Sequence, residues 1–259
     1  MTERSILAKD VHWPPSVDDF FLPGWHYPWV TKFTVMVWLA VAVIIVFFLV
    51  AYRKPRLVPT RTQWLAESIY GFGRNGIAGD VIGSEGVRFA PYVTTLFAFI
   101  AVMNVLGIVP GFQVAPTAHI AFPVALALIS YVVYLSVGIR RHGFRRFLKR
   151  IFVPPAAPAW LLPIMAPLEA LENLFLRPFT LSVRLFANMF AGHFILQVFT
   201  LGGFMLYGTG VLLLEPLSVV SWAVAIAVTF LEFMVAVLQA YVFAMLNSFY
   251  IGSSLADEH

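Results

Sequence analysis

The sequence predicts an all-α polytopic membrane protein with about five membrane-crossing helices, the last two forming a long hairpin, and an interfacial amphipathic helix. Of the 259 residues, 60% are hydrophobic and only 12% are charged, whereas soluble domains average about 45–50% apolar and about 25% charged residues. Several uncharged runs reach the length of about 20 residues that a spanning helix needs. Lys and Arg are concentrated in two segments, as in loops on one side of a membrane. These observations exclude a soluble enzyme.

The first membrane-crossing helix is predicted at residues 33–52, a run without charged side chains. Residues 1–32 form a polar leader that is rich in Pro and Trp. The leader lacks the basic start and the small-residue cleavage site of a signal peptide, so we expect it to be retained. The expected organisation is an extramembrane leader at 1–32, a membrane domain at 33–255 and a short tail at 256–259.

Residues 63–73 (QWLAESIYGFG) are too polar to span a bilayer and predict an amphipathic helix that lies along the interface. Six glycines between Gly71 and Gly86 predict a loop after this helix. A phosphate-binding loop is excluded, because no GK[ST] motif follows and no strand precedes it.

Residues 89–139 contain no Lys, Arg, Asp or Glu and are long enough for two crossings. Pro110-Gly111 and Pro116 divide them. A basic loop follows at 140–150, and three prolines at 154–158 separate it from the last third of the chain. That last third predicts two long helices, at about 163–200 and 212–251, joined by a glycine-rich turn at 201–210.

The distribution of basic residues predicts the orientation. Twelve of the seventeen Lys and Arg residues lie in 53–88 and 140–150, whereas the loops at 110–119 and 201–214 contain none. The positive-inside rule places the two basic segments in the cytoplasm, with the N-terminus outside and the C-terminus inside. Topology and contact with anionic lipids explain the basic runs, so we expect no nucleic acid as a partner. The absence of cysteine excludes disulfides, thiol catalysis and iron–sulfur clusters, and we expect no cofactor.

Ionisable side chains within the hairpin are the candidates for function, because charge at membrane depth is costly and usually marks an ion path. Arg184 lies about twenty residues into the first helix of the hairpin, with no acid three or four residues away. We expect its partner to come from another helix or another chain. The alternative is that Arg184 is a structural anchor on backbone carbonyls.

The remaining ionisable residues near the hairpin have simpler explanations available. Glu169, Glu172 and Arg177 could lie at the cytoplasmic interface, where they snorkel or pair with one another. Glu215 lies at a helix start, where its charge suits the helix dipole. His119 is expected to be interfacial.

Helical geometry predicts how the polar residues of the hairpin are arranged. At about 100° per residue, Asn188 shares a face with Arg184, and His193 lies on the opposite face. Small residues nearby would let another helix approach closely: Ser182, Ala187, Ala191 and Gly192. On the last helix, Glu232 and Gln239 share a face. If Gln239 is level with Arg184, the antiparallel arrangement brings Glu232 level with His193, and such an acid–imidazole pair suits a proton inlet.

One segment carries a family resemblance. Residues 177–193 read RPFTLSVRLFANMFAGH and closely resemble the signature RPxxLxxRLxxNMxAGH of subunit a of F-type ATP synthases. The closing segment 231–243, the motif MNVLGIVPG at 103–111, and Gln63 and Glu67 with FAP at 89–91 are also similar to this family. The resemblance covers about residues 33–255 in the family's order, and in this family the last two helices form a strongly tilted hairpin.

The resemblance implies an ion-translocating stator subunit of the rotary F-type ATP synthase. Such a subunit forms two half-channels against the c-ring and couples proton flow to rotation and ATP synthesis. Arg184 is then the stator arginine that faces the ring carboxylates, flanked by Asn188 and Gln239. His193 and Glu232 belong to the outer half-channel. Members of the family exchange the acid and the histidine between these two places.

The resemblance also implies further channel residues and partners. Asn104 is expected in a half-channel, and Glu169 or Glu172 is expected to line the cytoplasmic one. The partners are the c-ring proteolipid subunits, the peripheral stalk b subunits, membrane lipids and, indirectly, the soluble catalytic head. The chain by itself is then non-catalytic. The expected location is the bacterial plasma membrane, with the mitochondrial inner membrane as the alternative.

Two functions from other classes compete with this interpretation. A self-sufficient secondary transporter would show internal repeats with discontinuous helices at midplane, and no such repeat is evident in the sequence. A membrane scaffold has no reason to carry Arg184, His193 and Glu232 at membrane depth. Copurification with a small hairpin proteolipid and a soluble ATPase head would favour the stator subunit.

Overall fold

The computed structural model describes residues 32–109, 115–147, 162–208, 211 and 214–255. Within these ranges all regular structure is helical, and five helices are long and apolar enough to cross a membrane. This confirms the predicted fold class. Residues 1–31 of the expected leader, the Pro110-Gly111 break, the prolines at 154–158 and the tail at 256–259 lie outside the described residues.

Helix α1 (Lys32–Ala51) is the first crossing and agrees with the predicted run. It presents large apolar side chains outward, among them Trp38, Ile45 and Leu49, as a helix does when its surroundings are hydrocarbon. At its start, the ring of Phe33 lies 5.4 Å from that of His119. The first crossing therefore begins at the same end of the bundle as the segment around His119.

The predicted amphipathic helix is present as α2 (Arg61–Gly71). Thr60 caps it by accepting a 3.3 Å hydrogen bond from the Gln63 backbone N–H. The buried Gln63 side chain donates to the Arg56 carbonyl at 3.1 Å and to Glu67 at 2.8 Å. Gln63 therefore holds the preceding turn against the helix.

The predicted glycine loop after α2 is wrong for most of its length. Residues Phe72–Gly79 form a π-helical continuation, Asp80–Ile82 a short helical turn and Ser84–Arg88 a 3₁₀ turn. The glycines serve close packing instead. A Cβ on Gly73 would lie 2.1 Å from Thr94 Oγ1, and a Cβ on Gly86 would lie 2.1 Å from the Ala78 carbonyl oxygen. Only Gly83 of this group adopts a positive φ, of 82°.

The two crossings predicted between residues 89 and 139 are α3 (Ala90–Ile108) and α4 (Ala121–His142). A 3₁₀ turn at Pro116–Ala118 lies between them. Helix α4 ends at Gly143, whose φ of 77° is a conformation that favours glycine.

The hairpin is longer than the sequence predicts. Its first arm comprises α5 (Leu162–Leu171), a π-helical turn (Glu172–Leu176) and α6 (Arg177–Gly208); its second arm is α7 (Glu215–Leu255). The expected turn at 201–210 is wrong, because α6 remains helical to Gly208. Gly203 lies within that helix and admits Trp222, whose Nε1 is 2.3 Å from the position of a Cβ on Gly203.

The buried core lies where α3, α4, α6 and α7 meet. Its members are Leu96, Ile100, Met103, Leu126, Ala127, Leu181, Leu185, Ala240 and Phe243, with Ala40 from α1. We call the basic end of the bundle the end at which α4 and α7 finish and α6 begins, and the opposite end the distal end. At the basic end, His142 Nε2 lies 3.1 Å from the Ser254 carbonyl oxygen.

Candidate functional site

Arg184 lies on the exposed face of α6, in the middle of the apolar hairpin. Ala187, Asn188 and Ala191 share this face and are also exposed, whereas Met189 on the other side of the helix is fully buried. Among the described residues no carboxylate pairs with Arg184. The arrangement leaves a guanidinium surrounded by small side chains on a surface that another helix can approach.

One turn from Arg184, an amide bridge joins the two arms of the hairpin. Asn188 Nδ2 donates a 2.8 Å hydrogen bond to Gln239 Oε1. Gln239 is buried, and within the described ranges its Nε2 has no hydrogen-bond partner. A buried amide hydrogen without an acceptor is costly, so a partner chain or water is expected there.

His193 and Glu232 are in contact between α6 and α7, through His193 Nδ1 and Glu232 Oε1. Both side chains are only 2% exposed. Gly192 makes room for the carboxylate, because a Cβ at this position would lie 3.0 Å from Glu232 Oε1. Together with the Asn188–Gln239 bridge, this pair shows the antiparallel register that the sequence spacing suggests.

Gly107 in the last turn of α3 and Ala115 just before the 3₁₀ turn complete the surroundings of His193. The Ala115 backbone N–H donates to His193 Nε2 at 3.2 Å, and the Gly107 carbonyl oxygen lies 3.3 Å from the same nitrogen. The sequence prediction missed both contacts, because backbone groups leave no signal in residue types.

Asn104 lies close to this pair without contacting it. The side chain is fully buried, donates to the Ala236 carbonyl at 3.2 Å and accepts from Thr117 Oγ1 at 2.7 Å. It thereby connects α3, the 3₁₀ turn and α7, one helical turn from Glu232. Thr117 was not a candidate from the sequence.

At the basic end, the described residues Glu169, Glu172 and Arg177 do not form the ion pairs with one another that the sequence offered as a simple explanation. Within the described part of the chain, no ion pair joins Arg177 to Glu169 or Glu172. Glu169 instead accepts from Asn173 Nδ2 at 3.2 Å, and Glu172 is exposed. The π-helical turn begins at Glu172 and lies between Glu169 and Arg177. Its helical pitch differs from that of an α-helix, so it changes the direction in which these acids point relative to α6.

Arg177 packs against aromatic rings instead. Its guanidinium carbon lies 5.7 Å from the ring centre of Tyr134 and 5.0 Å from that of Tyr250, and it donates to the Tyr134 hydroxyl at 3.5 Å. Such cation–π contacts hold an arginine at the edge of an apolar bundle. Neither tyrosine was a candidate from the sequence.

No group of three potential metal ligands (His, Cys, Asp or Glu) comes together in the ranges that the structure describes. The hairpin also contains a histidine–carboxylate pair that can bind a proton and, on another face of α6, a fixed positive charge.

Comparison with known proteins agrees with this site. The sequence model of the ATP synthase A chain family matches residues 34–252. ATP synthase subunit a of Nocardioides sp. is 40% identical over 95% of this chain and 94% of the relative. The subunit a of Rhodococcus erythropolis is 40% identical over 100% and 98%, and that of Acidiphilium cryptum is 46% identical over 85% and 86%.

The match covers all five membrane-crossing helices, including the hairpin with Arg184, His193 and Glu232. The chain belongs to the ATP synthase A chain family, the proton-translocating stator subunits of F-type ATP synthases.

Proposed function

We propose that Arg184 is the stator arginine that faces the carboxylates of the c-ring, with Asn188 and Gln239 beside it. The observation that carries the proposal is an exposed guanidinium in the middle of an apolar hairpin, with no carboxylate paired to it among the described residues. Charge in this position is costly unless a partner supplies the opposite charge. The neighbouring Ala187 and Ala191 leave room for the c-ring helices.

The chemistry follows from the properties of the two charges. An ionised ring carboxylate is expensive in lipid, and Arg184 stabilises it only while the two groups are close. An arginine does not release its proton at working pH. Arg184 therefore separates two half-channels without passing protons between them. Each proton must instead be carried on a ring carboxylate as the ring rotates from one half-channel to the other. One charge moved across 100 mV corresponds to about 2.3 kcal/mol, which is available for rotation.

The outer half-channel leads to the His193–Glu232 pair, with Asn104 nearby. Histidine serves as a proton shuttle in proteins, and a carboxylate in contact with it can accept or return the proton. The pair lies at the distal side of Arg184, about 13 Å along α6 at 1.5 Å per residue. Glu169 or Glu172, on the other side of Arg184, lines the inner half-channel.

The orientation follows from the two ends of the bundle. Arg140, Arg141 and the start of α6 lie at the basic end, where Arg141 also pairs with Glu85 at 3.3 Å. The positive-inside rule places this end in the cytoplasm and the distal end outside. The chain then resides in the bacterial plasma membrane with its N-terminus outside and its C-terminus inside.

The partners are the c-ring proteolipid subunits at the Arg184 face, peripheral stalk b subunits and lipids on the remaining apolar surfaces, and the soluble catalytic head indirectly. Large apolar side chains are exposed along α1 and α7, for example Val46, Leu49, Val220 and Phe230. Surfaces of this kind are covered by other membrane helices or by acyl chains.

The test is ATP-driven proton pumping in membrane vesicles that contain the assembled complex. Arg184→Ala is expected to abolish pumping while ATP hydrolysis and assembly remain measurable. Arg140→Ala is the matched control, since Arg140 is an exposed arginine at the end of α4. Normal pumping by the assembled Arg184→Ala complex would show that Arg184 has a structural role and no role in transport. Transport by the purified chain alone, without a c-ring, would favour a self-sufficient transporter.

A further inference from the structure

The imidazole of His193 is held by a different kind of partner at each nitrogen. Nδ1 faces two acceptors, the Glu232 carboxylate and the Met189 carbonyl oxygen at 2.9 Å. A nitrogen between two acceptors is satisfied only if it carries a hydrogen. These two oxygens favour the tautomer of the neutral ring that carries its hydrogen on Nδ1.

Nε2 faces one donor and one acceptor. The Ala115 N–H points to it at 3.2 Å, and the Gly107 carbonyl oxygen lies at 3.3 Å. In the neutral ring, Nε2 has a lone pair and accepts from Ala115. In the charged ring, Nε2 carries a hydrogen and donates to Gly107. Each charge state thus has its own partner, and the ring does not need to turn.

Gly107 is what brings these two backbone groups to one nitrogen. A Cβ on Gly107 would lie 2.5 Å from Ala115 Cβ and 2.6 Å from Ala115 N. Both distances are far below an ordinary contact, so any larger residue would move Ala115 away. Ala115 is itself fully buried, and Thr117, two residues later, fixes the turn through its 2.7 Å bond to Asn104.

Other ionisable groups near the ring are few. Glu232 on α7 is the one that contacts it. The 3₁₀ turn at 116–118 contains none, and the one ionisable side chain of α3, Tyr92, bonds to Ser130 and Asn247 on other helices. His119 follows the turn, where its ring packs against Phe33 and Phe122. Arg184 on α6 lies on the opposite face.

We propose that His193 takes up and releases its proton at Nε2, and that the Gly107 carbonyl and the Ala115 amide are the positioning groups for this step. Uptake breaks an O–H bond of a protonated water, forms one N–H bond at Nε2 and converts a neutral imidazole beside a carboxylate into an imidazolium–carboxylate pair. Release reverses the step and returns the proton to water. The inference rests on the proposed outer half-channel, and it assigns the nitrogen through which the pair is loaded.

The loaded pair is neutral overall, whereas the unloaded pair carries the charge of Glu232 alone. In a site this buried, the neutral arrangement avoids the cost of an isolated charge. The Gly107 carbonyl adds a charge-assisted hydrogen bond to the loaded state, and such bonds are stronger than the neutral bond from Ala115. Removing both contacts therefore disfavours the loaded state.

The experiment measures passive proton conduction through the assembled membrane sector in vesicles stripped of the soluble head, as a function of pH. Gly107→Ala is expected to shift the pH of half-maximal conduction, because the charged ring loses its acceptor. Gly71→Ala is the matched control, since nothing lies within 4 Å of a Cβ at Gly71, and it is expected to leave the profile unchanged.

The same change in a His193→Gln background separates positioning from general damage. If Gly107 acts through the titration of His193, Gly107→Ala produces no further shift once the imidazole is gone. An equal effect in both backgrounds overturns the inference and leaves the proposed half-channel intact. A His193→Gln profile identical to that of the unmodified chain overturns both the inference and the role of His193 in the half-channel.

Thr117→Ala is the second variant, for use if Gly107→Ala does not assemble. It adds no atoms and removes the hydroxyl group that fixes the turn next to Ala115. A smaller shift that disappears in the His193→Gln background supports the inference. No shift, or a shift that persists without the imidazole, overturns it.

Discussion

The side-chain amide of Asn188 donates a 2.8 Å hydrogen bond to Oε1 of Gln239, across the two arms of the hairpin. The bond fixes the height of α7 relative to α6 one turn from Arg184. Seven residues earlier on α7, Glu232 meets His193. These two contacts hold the proposed channel residues in one register, and both involve buried groups on α7 that would be costly to leave without partners.

Asn188→Asp should inhibit transport by giving Arg184 an internal partner. An aspartate four residues after Arg184 on the same helix face pairs with the guanidinium and competes with the ring carboxylate. We expect the rate of ATP-driven proton pumping to fall at least about tenfold, which corresponds to about 1.4 kcal/mol. Asn75→Asp, at an exposed asparagine outside the hairpin, is the control. Pumping at the unmodified rate by assembled Asn188→Asp complex would contradict the role given to Arg184.

Gly192→Ala should disturb the His193–Glu232 pair without adding charge. The new methyl group would lie 3.0 Å from Glu232 Oε1 and 3.3 Å from Cδ, so the carboxylate must move. We expect passive proton conduction to fall several-fold while assembly is retained. A displaced carboxylate raises the barrier to proton transfer, and each 1.4 kcal/mol added to that barrier lowers the rate about tenfold. Gly252→Ala is matched, since its nearest neighbour is 3.4 Å away. Equal conduction in the two variants would show that the position of the Glu232 carboxylate does not control the rate of proton conduction.

Arg177→Ala should lower stability more than transport. The substitution removes the contacts of the guanidinium with Tyr134 and Tyr250, and we expect a loss of about 1–2 kcal/mol. Arg177→Lys keeps the charge but not the planar group, so an intermediate loss is expected. Thermal unfolding of the purified complex is the measurement, with Arg145→Ala at an exposed site as the control. A larger loss in the Lys variant than in the Ala variant would argue against ring stacking.

Gly203→Ala should destabilise the distal half of the hairpin. A Cβ at this position would lie 2.3 Å from Trp222 Nε1 and 2.5 Å from Cδ1. The indole must therefore move, and overpacking of this kind costs about 1–3 kcal/mol. Gly76→Ala, where the nearest atom is the Phe72 ring at 3.4 Å, should be close to neutral. Indistinguishable unfolding temperatures for the two variants would show that Trp222 adapts freely.

Much of the fold was predictable because it depends on local properties of the sequence. The uncharged runs of α1, α3 and α4 fix their own positions in a bilayer by hydropathy. The pairing of His193 with Glu232 was also within reach, since two long helices joined by a short turn are antiparallel neighbours. The sequence does not give the relative height of the two helices, and the structure supplies it.

The glycine-rich segments were predicted less well, because a glycine has two possible uses. At Gly83 and Gly143 it provides a positive φ and ends a helix. At Gly73, Gly86 and Gly203 it lets another group approach a helical backbone. The two uses look alike in the sequence, so loops were predicted where the chain is helical.

By itself, the sequence determined that this chain is a helical membrane protein with an arginine in its apolar hairpin and no acid three or four residues away, since hydropathy and charge are properties of each residue. The tertiary structure alone decided which groups surround His193 and Arg177. Gly107 and Ala115 act through backbone groups that every residue except proline possesses, and Tyr134 and Tyr250 become neighbours of Arg177 only when α4, α6 and α7 pack together. Such contacts arise from the relative placement of helices, which residue spacing along one helix does not encode.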